Sequence, residues 1–292
     1  MNEYVTLGRV GGGGFGEVVR ALHIPTGDIV ALKKVRVAQE IPQGIFREIQ
    51  ALKRLQGHRN VVELKEVFAS GSSICMTMEL ADMDLKSFLE ECGALPEETT
   101  KYISFQIACG LHFCHTSGVL HRDLKPSNIL IWKHSGKVKI ADFGLARAGW
   151  TVASTEKKLS HQVATRWYRS PELLLGSKCY DGAVDMWALG VIILEMIQGA
   201  VVFPGENDIE QFYRIAQQLG SPSDEIFRDL PDAGKIEFPS FEPLTFQMYD
   251  TSSELSVVVS SLIQYDPKKR PNSEKIVSNP CFICHPLPQF LF

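Results

Sequence analysis

The sequence predicts an α+β fold in two unequal lobes. A small five-stranded β lobe with one helix comes first (1–81), and a larger, mainly α-helical lobe follows (82–292). Two observations predict this. The apolar period changes from about two to about 3.6 near "ELADMD", Glu79 to Asp84. The composition, 45% apolar and 22% charged over 292 residues, is that of a chain with a real core, and the length suits one large domain or two small ones. Two lobes of different character leave a cleft between them, where ligands bind.

"YVTLGRV" and "GEVVRAL" are strands flanking a glycine cluster. "DIVALKKVRV" follows the turn "PTGD" and carries apolar residues at Ile29, Ala31, Val35 and Val37. "GIFREIQALKRL" has Ile45, Ile49, Leu52 and Leu55 at helical spacing. "VVELKEVFA" and "SICMTMEL" complete the strands. Helical patterns then dominate: "LKSFLEECG", "TTKYISFQIACGLHFCHTSG", "AVDMWALGVIILEMIQG", "IEQFYRIAQQLG" and "SELSVVVSSLIQYD". The most apolar stretch, Met186 to Ile197, is too short to span a bilayer and contains Glu195, so it reads as a buried core helix.

Composition excludes several classes. A net charge of −4 argues against nucleic acid or an anionic membrane as the main partner. "MNEYVTLGRV" lacks the basic and apolar regions of a signal peptide. Seven scattered cysteines fit reduced thiols in an intracellular protein better than a disulfide framework. "CFICH", Cys281 to His285, matches the c-type haem attachment pattern and offers three metal ligands. It stands between two prolines with no fourth ligand nearby, and the plainer reading is apolar packing of the chain end.

Four motifs carry chemistry. The first is Gly11-x-Gly13-x-x-Gly16-x-Val18, inside the run Gly11, Gly12, Gly13, Gly14, Phe15, Gly16. Such a run reads as slack linker, dinucleotide-binding turn or phosphate flap. A linker here joins nothing, and a dinucleotide turn needs a following helix. Two strands joined by glycines suit a flap whose amides approach phosphate oxygens without a Cβ in the way. The second motif is "VALKKV". Ala31 and Lys33 share a strand face, Lys34 lies on the other, and a Lys33–Glu48 ion pair is expected to hold the ammonium against phosphates. The third is "HRDLKPSN": Asp123 can accept a hydroxyl proton, Lys125 can neutralise a moving phosphoryl group, and the Asn128 amide oxygen can ligate a divalent cation. The fourth, "ADFGLAR", gives Asp142 as a hard oxygen ligand for Mg²⁺.

In this order the motifs resemble the eukaryotic protein kinases, from Tyr4 to about Phe282. The resemblance implies a bilobal fold, ATP and Mg²⁺ as cofactors, and catalytic roles for Lys33, Glu48, Asp123, Lys125 and Thr165. It places Val10, Glu17 and Val18, with the glycines and Ala31, around ATP. Glu79 and Ala81 fall where the family offers backbone groups to adenine. Met78 falls at the family's gatekeeper position, and core packing explains a methionine there equally well. "SPELL" resembles the A-P-E segment with Ser170 for alanine. "DMWALG" matches the D-x-W-x-x-G helix start, and "DPKKRP" supplies Arg270, which in the family pairs with the match of Glu172; an ordinary surface arginine is the bland reading.

Lys125 and Thr165 are similar to serine/threonine rather than tyrosine kinases. "VATRWYRSPELLLG" resembles the cyclin-dependent and MAP kinase branch, in which Trp167 and Arg169 shape a pocket for proline after the target residue. Protein substrates with Ser-Pro or Thr-Pro sites are therefore implied. "HQVATRWYR", "FPGENDIEQ" and "PLP" are similar to an outlying, cell-cycle-related subgroup linked to cell-cycle progression and cilia. The implied partners are a cyclin or cyclin-like activator and an upstream activating kinase. The implied location is the cytoplasm, the nucleus or the cilium.

Ser160, in a segment that also holds Ser154 and Thr155, matches the family's activating phosphosite. A phosphate there is expected to be clamped by Arg47, Arg122 and Arg147; an unmodified exposed serine is the alternative. Two departures stand out. Gly14 and Phe15 replace the threonine and tyrosine that take inhibitory phosphate in the branch. Only Arg47-Glu48 of the usual cyclin-binding motif remains in "IPQGIFREI", and Gly44 weakens that helix start. A kinase-shaped scaffold without catalysis is the competing class. Such proteins lose Lys33, Asp123 or Asp142, all of which this chain keeps.

Overall fold

The structure is a computed structural model that describes residues 3–13, 16–37, 40–148, 166–227, 239–243 and 253–283. Gly14, Phe15, Ser154, Thr155, Ser160, Thr165, Cys284 and His285 lie outside the described residues.

The small lobe has the expected five strands and one helix. Strands β1 (Tyr4–Gly13), β2 (Gly16–His23), β3 (Ile29–Arg36), β4 (Leu64–Ser70) and β5 (Ser73–Glu79) form an antiparallel sheet in the order β1-β2-β3-β5-β4. Helix α1 (Gln43–Arg54) connects β3 to β4. Both faces of the sheet are covered. Val19, Ala21, Val30, Leu32 and Cys75 form a small cluster on one face, capped by Tyr4 and Phe68. Val35, Met76 and Met78 face the main core with Ile45, Ala51 and Leu52 of α1. That double cover explains a departure from the simple alternation in β3. Ile29 is exposed, whereas Val30 and Leu32 are buried along with Ala31 and Val35.

In α1, Glu48 falls on the stripe of Ile45, Leu52 and Leu55, at helical steps of three, four and three residues. The stripe faces the sheet, so the carboxylate is carried inward with it. Pro42 starts the helix without a side-chain cap, and Phe46 stands 57% exposed near that end. Lys53 and Arg54 in the last turn complement the helix dipole.

Among the described residues the large lobe holds α2 (Leu85–Cys92), α3 (Glu97–Thr116), α4 (Pro171–Leu174), α5 (Ala183–Gln198), α6 (Asp208–Leu219), α7 (Asp224–Phe227), α8 (Glu254–Leu262), α9 (Ser273–Val277) and α10 (Pro280–Ile283); α2, α3, α5, α6 and α8 are the predicted helices, and the short α4, α7, α9 and α10 were not foreseen. Every residue of α5 from Val184 to Met196 is buried, which explains its apolar run. Its Glu195 carboxylate accepts a hydrogen bond from the Tyr168 hydroxyl at 2.6 Å. Among the described residues no helix is long and apolar enough to cross a membrane. Cys281 packs into the core from α10.

Among the described residues this mainly helical lobe also contains five short strands. These are β6 (Met83–Asp84), β7 (Val119–Leu120), β8 (Ile129–Trp132), β9 (Lys137–Ile140) and β10 (Arg147–Ala148). β6, β8 and β9 make one sheet, and β7 pairs with β10. Two to four residues are too few for an alternation to show in sequence. These strands matter because the loops between them carry the chemistry.

Candidate active site

The glycine cluster is a hairpin. Gly11 pairs with Val18, Gly12 with Glu17 and Gly13 with Gly16, so a strand follows the glycines. A dinucleotide-binding turn is thereby ruled out. Two glycines do different work. Gly16 has φ +135°, and a Cβ there meets the Lys34 carbonyl oxygen at 2.6 Å, so the fold itself demands glycine. A Cβ on Gly11 meets nothing within 4 Å. Packing leaves that position open, as an approach of phosphate requires. Val10 is 54% exposed on the same strand, and Val18 is half-buried across from Gly11.

Lys33 is buried and points inward, while Lys34 beside it is exposed. The Lys33 ammonium donates to both Glu48 oxygens at 2.7 Å and to Asp142 Oδ1 at 3.4 Å. Burial alone favours the neutral amine, but the carboxylates of Glu48 and Asp142 outweigh it and hold the Lys33 pKa above its ordinary value. Burial pushes the Glu48 carboxyl up, and the Lys33 ammonium pulls it back. Asp142 is held below the usual carboxylate range. Burial works against this, but Lys33, His121 and Lys125 prevail. It is therefore ionised at neutral pH.

The loop between β7 and β8 carries the second half of the site. Lys125 donates to Asp123 Oδ2 at 2.7 Å. Asn128, buried in a single 3-10 turn (Pro126–Asn128), donates from Nδ2 to the Asp123 carbonyl at 2.8 Å and to Asp123 Oδ2 at 3.3 Å. Its amide nitrogen is thus committed to the loop, which leaves the amide oxygen as a ligand. With the Asp142 carboxylate this makes a hard-oxygen donor set suited to Mg²⁺.

The sequence reading missed what holds this loop. Asp185, buried at the start of α5, accepts from the backbone N–H of His121 at 3.0 Å and of Arg122 at 2.8 Å. His115 Nε2 lies 2.9 Å from the same carboxylate. Burial raises the Asp185 pKa, but His115, His121 and the Arg122 amide more than offset it and keep it low. His121 Nε2 donates to the Ala141 carbonyl at 3.0 Å, just ahead of Asp142. Arg122 and Asp142 have φ of 67° and 62°, unfavourable for side chains other than glycine and typical of strained functional sites. The signal for Asp185 was present in "DMWALG", but its partners were not.

The remaining predicted residues fall as follows. Ala31 is buried and sits directly across from Met78 in the β3–β5 ladder; Met78 belongs to the main core. Glu79 and Ala81 lie where the sheet leads into β6. The Glu79 carboxylate accepts from the Glu63 N–H at 2.9 Å and from Lys139 of β9, a partly buried tie that was not foreseen. Arg122 and Arg147 both stand over the Tyr180 ring, at 5.8 and 5.9 Å, and Arg122 also donates to the Tyr180 hydroxyl and to the Leu145 carbonyl. Arg47 donates instead to Gln43, one turn earlier, at 3.2 Å. Trp167 donates from its indole N–H to the Gly205 carbonyl at 3.2 Å. Arg169 and Arg166 share one oxygen of Asp208, at 3.4 and 2.7 Å.

Arg270 is no surface residue. It is buried, clasps Glu172 at 2.7 and 2.8 Å, donates to the carbonyls of Gln264, Ala183 and Tyr265, and stacks 5.1 Å from the Trp187 ring.

Comparison with known proteins agrees with this geometry. The family model described as "Protein kinase domain" matches residues 4–282. The chain is 40% identical over 299 residues to "Cyclin-dependent kinase 20" of Danio rerio, covering 99% of this chain and 86% of that protein. It is 40% identical to the Mus musculus protein of the same name and 39% to the Homo sapiens one, with 99% of this chain and 85% of each relative covered.

Proposed function

We propose that this chain, which belongs to the protein kinase family and is a serine/threonine kinase of its cyclin-dependent branch, transfers the γ-phosphoryl group of ATP to Ser-Pro and Thr-Pro sites in proteins. One observation carries the reading. Lys33, Glu48 and Asp142 form a single charged cluster beneath the glycine hairpin. The loop of Asp123, Lys125 and Asn128 follows β7 in the large lobe and is tied to Asp142 through His121 and Ala141.

Lys33, fixed by Glu48, presents a permanent positive charge to the α- and β-phosphates. Asn128 and Asp142 would hold Mg²⁺, which neutralises charge on the phosphates when bound. Asp123 orients the substrate hydroxyl and accepts its proton. Its carboxylate is prepared for this by the Lys125 ammonium, which also faces the charge that moves with the phosphoryl group. Trp167 and Arg169, pinned through Gly205 and Asp208, support a shaped surface for the residue after the target.

The wider setting follows from the same kinship. We assign the protein a role in cell-cycle or ciliary regulation, in the cytoplasm, nucleus or cilium. A cyclin-like activator and phosphorylation of Ser160 by an upstream kinase switch it on, with Arg47, Arg122 and Arg147 receiving the phosphate.

The test uses a Ser-Pro peptide, its Ser-Ala counterpart and the full chain with candidate activators. Wild type should phosphorylate the first and discriminate against the second. Asp123→Asn should lower kcat by about 10²- to 10⁴-fold with an unchanged melting temperature. Turnover independent of Asp123 would refute the mechanism, and equal use of both peptides would refute the proline preference alone.

A further inference from the structure

Tyr180 lies in the stretch between α4 and α5. Two cations share its ring. The guanidinium of Arg122, from the loop after β7, stands 5.8 Å from the ring centroid, and that of Arg147, from β10, stands 5.9 Å from it. Arg122 also donates from Nη1 to the Tyr180 hydroxyl and from Nε to the Leu145 carbonyl at 2.7 Å. All three residues are half-buried rather than sealed in the core, as a site for an incoming anion requires.

We propose that Tyr180 is a positioning residue for the regulatory phosphate: its ring keeps Arg122 and Arg147 gathered before a phosphate is there to gather them. This rests on the reading that these arginines receive the Ser160 phosphate. Two guanidinium groups are permanently charged and repel one another. Without an anion they move apart unless something else draws both. The face of an aromatic ring does so, because its negative quadrupole attracts cations. The hydroxyl adds direction, since it takes one N–H of Arg122 while the Leu145 carbonyl takes another. Among the described residues that leaves Nη2 of Arg122 for an anion.

The ring itself is held in place. Ser177, shortly before it, donates its N–H to the Glu172 carbonyl at 2.8 Å, and Glu172 is locked by Arg270. The Ser177 hydroxyl donates to the Cys179 carbonyl at 2.8 Å. Just after the ring, the Asp181 carboxylate accepts from the Ala183 N–H at 2.9 Å, at the start of α5. The arginines come from backbone that is fastened too. Arg147 pairs with Leu120 across β10 and β7, and the Arg122 N–H donates to Asp185 of α5 at 2.8 Å. A fixed ring between fixed strands offers a prepared pair of cations, so a phosphate meets a smaller ordering cost when it binds.

The test uses the full chain bearing phosphate on Ser160 and follows release of that phosphate by a non-specific phosphatase, well below the melting temperature. A clamped phosphate is released slowly. Tyr180→Leu should speed release about three- to tenfold. Tyr180→Phe keeps the ring, loses the hydroxyl and should speed release about twofold. The gain in melting temperature that phosphorylation confers should shrink in the same order. Wild-type release rates in both variants overturn the proposal, even where both phosphorylated and unphosphorylated forms melt lower, because Tyr180 is then merely structural. Faster release with an undiminished gain in melting temperature overturns it too, because the ring then only shields the phosphate. Should Tyr180→Leu fail to fold, Tyr180→Phe decides alone. Failure of the underlying reading is seen separately in Arg147→Ala: release no faster than wild type in that variant means that the arginine does not receive the phosphate.

Discussion

The two lobes hold their catalytic groups in different ways. In the large lobe, Asp123 belongs to a loop fastened from several sides. Asp185 takes two backbone N–H groups and His115, His121 ties the loop to Ala141, and Asn128 folds it onto itself. Arg270 and Glu172 fix the neighbouring segment. In the small lobe, Lys33 is placed chiefly by its ion pair to Glu48, on a helix with no side-chain cap at its start, with a longer contact to Asp142. The large lobe fastens its Asp123 loop from several sides. The small lobe is built so that its site depends on where one helix sits, and control is best exerted there.

The first way to break this comparison is Arg270→Ala, which leaves Glu172 buried without its cation. Loss of one partner from such a pair costs about 3–5 kcal/mol, a large part of a typical domain's stability. Denaturant melting should show it, and a loss under about 1 kcal/mol would remove Arg270 from the anchoring scheme. Next comes Glu48→Gln. Lys33 retains Asp142 but loses its strict placement, so kcat should fall by about 10²-fold while stability falls less than in Arg270→Ala. Parallel losses in both measures would mean the pair is structural.

The third concerns acid. Asp185 has its pKa depressed in the folded state, so its contribution to stability is present above the unfolded value of about 3.9. That contribution is lost as pH falls through the lower folded value. Melting temperatures measured from pH 6 down to pH 3 should drop for the wild type and flatten for Asp185→Asn. Equal slopes would remove Asp185 as the loop's anchor. The smallest effect belongs to Phe46→Ala. Because the ring is largely exposed, stability should move by no more than about 0.5 kcal/mol. A larger loss would show that the start of α1 is better anchored than the comparison holds.

Much of this was legible in the chain. Lys33, Asp123, Lys125, Asn128 and Asp142 lie in short motifs whose chemistry is local. Glu48 was reached as the expected ion-pair partner of Lys33, and the resemblance, with "DP" before "KKRP", led to the Arg270 pair. What stayed hidden depends on distance along the chain. Asp185 meets His121 across 64 residues, Tyr180 meets Arg122 across 58, and Lys139 meets Glu79 across 60. No period or motif reports a partner that only the fold brings near. The short strands escaped for a different reason, since β6, β7 and β10 have only two residues each.

The stretch that joins α1 to β4 is stitched to the other lobe. The Val62 N–H donates to the Ile140 carbonyl and the Ile140 N–H to the Asn60 carbonyl, both at 2.9 Å, and the Asn60 amide donates to Gln106 and to Val138. The C-terminal end of α1 thus rests on the large lobe, while its N-terminal end projects Phe46 outward. The helix is a lever with its fulcrum already set. A force on the free end would turn the helix about that rest and carry Glu48, partway along it, through a shorter arc, so that a push at the rim would reach Lys33 as a smaller displacement.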